Sequence, residues 1–197
     1  MKTNPRIHRP GFTLVELMSV IIIIVILAGM VMGGLGYVNE RQARSKAQVQ
    51  ISLLSKALEE YKLDNGRYPP TGDITGLRRG PEGSSTSRIL FNALYFDSNN
   101  DRIGVPGDTT QKIYVPELDP VTSKQLWTTG RATATTPISD PWGNQYCYRS
   151  AKNEQGNANA ATQNPDFDLW SMGKDGRSNP EGATAQQRRF NADDIYN

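Results

Sequence analysis

The chain has 197 residues, with 22 Lys and Arg against 20 Asp and Glu, one Cys, one His and a formal net charge of +2. That size suits one small domain with an extension rather than a large two-domain enzyme, and the lone Cys147 permits no intrachain disulfide. The near-neutral balance gives no support for nucleic-acid binding, and the single histidine, His8, lies in an N-terminal leader, so the rest of the chain has no imidazole chemistry.

The leader carries Lys2, Arg6 and Arg9 and ends at Gly11. Phe12–Val38 follows as an apolar run of 27 residues with one ionisable side chain, Glu16. As a helix rising about 1.5 Å per residue the run is about 40 Å long, enough to cross a bilayer. It is longer than the apolar core of a secretory signal, and no A-x-A cleavage site follows it. Basic residues precede the run and none follows until Arg41, which predicts a cytoplasmic N-terminus with the remainder outside. A carboxylate in such a span costs about 2.5 to 3.5 kcal/mol at the helix centre and is usually paired and functional. Alternatively, Glu16 sits at headgroup depth beside the helix N-terminal dipole. Gly29 and Gly33 form a G-x-x-x-G pair that allows close helix approach. With Gly34 and Gly36 they also mark where the helix can stretch or melt locally when packed in a filament.

After Val38 the pattern becomes amphipathic. Ala47, Ile51, Leu54, Leu58 and Tyr61 recur at spacings of four and three, a stripe predicted to lie on a sheet. Asn65 and Gly66 give a helix stop, and Pro69 and Pro70 prevent resumption. Phe12 to Asp64 is therefore expected as one helix of about 80 Å. Its membrane half spans 12–38 and its amphipathic half 39–66, ahead of loops and a small sheet over 67–197. From Arg78 to Pro137, short apolar pieces at Ile89–Phe96 and Lys112–Leu118 alternate with Gly, Pro, Ser, Thr and Asn clusters, predicting brief elements in long loops. Asp97, Asn99, Asp101 and Asp108 have partial calcium-loop spacing, but Arg102 stands where the turn needs Gly and no bidentate Glu follows. A solvated loop is the better reading. Asp140, Pro141 and Gly143 predict a turn feeding a strand through Tyr146, Cys147 and Tyr148, with Cys147 a small buried hydrophobe. Phe167–Gly176 reads as a second strand, antiparallel to the first, that ends in a polar loop.

RPGFTLVELMSVIIIIVILA closely resembles the class III signal of type IV prepilins and type II secretion pseudopilins, matching through Gly11, Phe12, Thr13, Leu14, Val15, Glu16 and Leu17. The resemblance implies that a prepilin peptidase cleaves between Gly11 and Phe12 and methylates the new Phe12 amine, leaving the hydrophobic segment as an anchor. It further implies that Glu16 meets the Phe12 amine of a neighbouring subunit in a filament. YKLDNGRYP, DPWGN-x-Y and the SMGKDG loop resemble elements of the major pseudopilin of type II secretion systems, and the shared Tyr61, Asp64, Asn65, Gly66, Tyr68 and Pro69 identify the family rather than a site. The fold implied is α+β and pilin-like, a long N-terminal helix packed on a small antiparallel sheet.

The resemblance also implies calcium in the loop after the second strand. Asp175 matches the acidic ligand, Met172 a position contributing a backbone carbonyl, and Asp193 or Asp194 in the C-terminal acidic turn would close the site. The link 178–190 is longer and more basic than the family's, and Arg188 and Arg189 offer Asp193 and Asp194 an ion-paired alternative.

The function implied is a structural, non-enzymatic subunit. It polymerises with pilin-like partners on the inner membrane into a periplasmic filament that serves type II secretion. A type IV pilin of a surface fibre for adhesion, motility or DNA uptake is the alternative, disfavoured by the three motif segments and by the lack of paired cysteines. A tethered periplasmic enzyme is disfavoured because no nucleophile or phosphate-loop motif is present.

Overall fold

The computed structural model describes residues 12–71, 84–96, 112–122, 127–128, 132–133, 135–159, 162–178 and 192–197, with the side chains of 31–35 and 84–85 excepted. Gly11 and the rest of the leader, the Asp97–Asp108 motif, and Arg188 and Arg189 lie outside them. The chain divides into two units, Met1–Gln42 and Ala43–Asn197.

Helix α1 runs Leu14–Asn65, 52 residues, and begins two residues later than the sequence pattern predicts. Thr13 Oγ1 accepts the Glu16 N–H at 3.2 Å, so Thr13 acts as the N-cap of the helix. The helix continues through Gly29 and Gly36 without a break. In the first unit every residue from Phe12 to Met30 is exposed. Among the described residues no helix is long and apolar enough to cross a membrane. The described apolar stretch Leu14–Met30 amounts to about 26 Å of helix, against a hydrocarbon core of about 30 Å.

In the second unit the predicted stripe is the core. Ala47, Ile51, Leu54, Leu58 and Tyr61 are all buried, with Gln50 and Ala57 beside them. Each fully buried Leu or Ile contributes about 1.5–3 kcal/mol relative to exposure. The stripe shares one cluster with Leu90, Phe91, Leu94, Leu118, Ile138, Tyr146, Tyr148 and Leu169. Gln50, a polar residue on the apolar face, is satisfied because its Oε1 accepts the Tyr146 hydroxyl at 2.7 Å.

The predicted brief elements resolve into helix α2, Ser84–Phe91, a wider π turn over Asn92–Phe96 and a short 3-10 turn at Pro116–Leu118. Ser87 ties α2 to the strand region, since its Oγ donates to the Ile138 carbonyl and accepts the Ile138 N–H. The Tyr148 N–H donates to Thr86 Oγ1 at 3.3 Å.

Strands β1, Cys147–Ser150, and β2, Phe167–Ser171, are antiparallel in the register Cys147 to Trp170 and Ser150 to Phe167. The sequence reading missed a third strand. β3, Ile195–Tyr196, pairs with β2 through Trp170–Tyr196 and Ser171–Ile195, giving sheet order β1-β2-β3. β1 is buried on both faces: Tyr148 joins the α1 core while Cys147 joins a second cluster with Trp170 and Met172.

Candidate functional site

The segment after α1 shows how the chain fixes the helix end. Gly66, at φ +72°, donates its N–H to the Lys62 carbonyl at 2.7 Å, the left-handed stop that glycine adopts without strain. Asp64 Oδ2 receives the Lys112 ammonium at 2.7 Å and the Tyr114 hydroxyl at 2.9 Å. Those two bonds, Lys112 first, hold the Asp64 carboxyl below its ordinary pKa. Burial, reinforced by donation to Asp64, pushes the Tyr114 phenol up to about 12. Asn65 Nδ2 donates to the Tyr61 carbonyl and the Tyr114 oxygen. Tyr68 packs edge-on against Phe167 at 4.9 Å and donates to Glu59, while the Pro69 carbonyl accepts the Tyr148 hydroxyl. Tyr61, Asp64, Asn65, Gly66, Tyr68 and Pro69, the shared residues of the YKLDNGRYP motif, thus each have a structural task.

In the first unit, Phe12 is 81% exposed and Glu16 stands exposed in the first turn of α1. Both are placed where a neighbouring molecule can reach them. Gly11, on the other side of the predicted cleavage point, lies outside the described residues.

The residues expected as cation ligands lie in the loop after β2 and the turn before β3. Met172 is buried against Cys147 and Trp170. Asp175 donates its N–H to Asp193 Oδ2 at 3.0 Å and accepts the Arg177 N–H on its own Oδ1 at 2.8 Å. Asp194 Oδ2 accepts the hydroxyls of Ser178 at 2.6 Å and Tyr196 at 3.0 Å. Among the described residues its other oxygen, Oδ1, is buried without a hydrogen-bond partner. Burial, with the charges of Asp193 and Asp175 nearby, pushes the Asp194 carboxyl up to about 6.

Among the described residues no three His, Cys, Asp or Glu side chains are gathered closely enough to hold a metal by themselves. Asp175 and Asp193 spend oxygens on backbone N–H groups instead. The donor set is nevertheless all oxygen, with one buried carboxylate oxygen unsatisfied, and that chemistry fits a hard cation such as calcium completed by carbonyls and water.

Sequence reasoning missed the supports of this loop. Trp170 stacks on Tyr196 at 6.1 Å and donates its indole N–H to Ser178 Oγ at 3.0 Å, and the Arg149 guanidinium lies 5.2 Å above the Trp170 ring. Asp140, which the sequence marks only as a turn residue, and Asn144, the last residue of DPWGN, bond to Ser171 and Gly173. No local spacing announces those partners.

A family model for type II secretion system protein G matches residues 36–104 and 105–188, dividing inside the long middle segment. A model of the prokaryotic N-terminal methylation motif matches residues 7–32. The chain is 29% identical to the type II secretion system core protein G of Vibrio cholerae serotype O1 over 185 residues, 94% of each chain. It is 28% identical to that of Pseudomonas aeruginosa over 173 residues, 87% of this chain and 88% of the relative. A shorter stretch of 64 residues is 49% identical to that of Aeromonas hydrophila, covering 32% of this chain and 45% of the relative. With the family model matched across most of its length, the chain belongs to the type II secretion system protein G family, the pseudopilins of type II secretion.

Proposed function

We propose that this pseudopilin is a structural, non-enzymatic subunit, cleaved between Gly11 and Phe12 by prepilin peptidase and methylated on the Phe12 amine. It is held in the inner membrane by 12–38 with a cytoplasmic N-terminus, and it polymerises with copies of itself into a periplasmic filament that drives secretion. The observation that carries this reading is the unbroken exposure of Phe12–Met30: Leu14, Val15, Ile21, Ile24 and Leu27 are each half exposed or more. A contiguous apolar surface of that extent marks a membrane or protein interface. Glu16 costs most in lipid when unpaired, and the amine released by cleavage is a partner of opposite charge supplied by the neighbour.

The test is Glu16→Ala in a strain lacking the chromosomal copy. The variant reaches the membrane in normal amount but restores neither filaments nor secreted protein. Normal secretion by the variant would return Glu16 to a bystander at headgroup depth, and loss of surface fibres with secretion intact in the deletion strain would point to a type IV pilin.

Calcium belongs to the same proposal. The Asp175, Asp193 and Asp194 carboxylates and the Met172 carbonyl are the candidate ligands, supported by the orphaned Asp194 Oδ1. Bound there, the ion would pin the β2 loop to the C-terminal turn. Thermal unfolding in calcium against EGTA tests it: calcium raises the transition temperature, whereas coincident transitions and no stoichiometry by titration would contradict it.

A further inference from the structure

The loop after β2 is threaded between two close neighbours, and both of its glycines record it. Gly173 has φ +62°, and a Cβ there would stand 2.5 Å from the Asp193 carbonyl oxygen and 2.7 Å from its carboxylate. Gly176 also has φ +62°, and a Cβ there would stand 2.8 Å from Asn144 Oδ1. One side of the loop therefore rests on the acidic turn and the other on Asn144.

Asn144 does more than fill space. Its Nδ2 donates to the Gly173 carbonyl at 2.6 Å, across 29 positions of sequence. The turn that carries it is rigid: the Asn144 and Trp142 N–H groups both donate to Asp140 Oδ1, and the Asp140 N–H donates back to the Asn144 carbonyl. The other Asp140 oxygen accepts the Ser171 hydroxyl at 2.6 Å, and Ser171 Oγ accepts the Gly173 N–H at 3.1 Å. Both backbone polar groups of Gly173 are thus tied to the Asp140–Asn144 turn, the carbonyl directly and the N–H through Ser171. A turn asparagine acting only locally would cap its own backbone. This side chain reaches into another loop instead.

We propose that Asn144 is a positioning residue for the cation site: its amide fixes the Gly173–Gly176 loop so that Asp175 and the loop carbonyls are presented to Asp193 and Asp194. The proposal rests on the calcium reading above. Only a donor at this position serves, because the Gly173 carbonyl has to be the acceptor. Residues that orient a metal's ligands change affinity about 10- to 100-fold when removed.

The test compares the full chain in detergent micelles as wild type, Asn144→Ala and Gly176→Ala, reading calcium affinity by calorimetry and backbone hydrogen exchange of 173–178 in EGTA. Asn144→Ala weakens calcium binding by about 10-fold or more and speeds exchange in 173–178, while protection at Leu54 and Leu58 stays at the wild-type level. Gly176→Ala keeps Asn144 but displaces its oxygen, and it reproduces the loss even where Asn144→Ala fails to fold. Wild-type affinity in a folded Asn144→Ala chain overturns the positioning role while leaving the calcium site standing, whatever Gly176→Ala does, because a side chain at φ +62° strains the loop by itself. A wild-type chain that binds no calcium overturns the site itself and the role with it.

Discussion

The Tyr114 hydroxyl donates to Asp64 Oδ2 at 2.9 Å while Lys112 approaches the same oxygen at 2.7 Å, so the end of α1 is fastened to a segment about fifty residues further along the chain. The pair predicts an acid-sensitive contribution to stability. Because the Asp64 pKa is lowered in the folded protein from its ordinary 3.8, the stabilisation is complete above that value and fades as pH falls through the lower folded value. Asp64→Asn should therefore unfold at a lower temperature than wild type at pH 7, and the gap should close in strong acid. Melting curves from pH 7 to pH 2 check this, and a gap that widens in acid would contradict it.

Gln50 and Tyr146 predict a different kind of loss. Tyr146→Phe leaves the buried Gln50 Oε1 without its donor, which costs about 1–3 kcal/mol. Adding Gln50→Leu should recover part of that loss, since both polar ends are then gone. Urea unfolding of the single and double variants measures the coupling, and additive losses would contradict it.

Cys147 should be chemically silent in the native state. It is buried on the second face of the sheet, and burial, with the Asp194 charge nearby, pushes its thiol up to about 12. Since the thiolate is the reacting form, maleimide labelling at pH 7.5 should be slow in the native protein and fast in urea. Rapid native labelling would place Cys147 at the surface.

Gly173→Ala forces an L side chain at φ +62° into Asp193. Strain of that kind costs about 1–3 kcal/mol. The loss should appear in EGTA as well as in calcium, because the clash is with the protein itself. A calcium-dependent loss alone would contradict the packing described.

Much of the fold is legible in the sequence because it is set by local periodicity. The stripe from Ala47 to Tyr61 needed only helical spacing, and Gly66 announces the helix end through conformation alone. β3 was not legible: two residues, Ile195 and Tyr196, are too few for alternation to show, and their partner Trp170 is distant in sequence. The same distance hides Asn144. DPWGN reads as a turn, and nothing in those five residues reveals that its last side chain holds Gly173. The acidic residues Asp175, Asp193 and Asp194 were picked out by resemblance, and the structure adds their hydrogen bonds to Asp193, Ser178 and Tyr196.

The central claim is that α1 is an assembly element whose working end is made by cleavage. Mass spectrometry of the N-terminal peptide from purified membranes tests it most directly. The account predicts a mature chain that begins with methylated Phe12 and has Glu16 as its fifth residue. A chain that retains Met1, or one cut anywhere other than between Gly11 and Phe12, would contradict it.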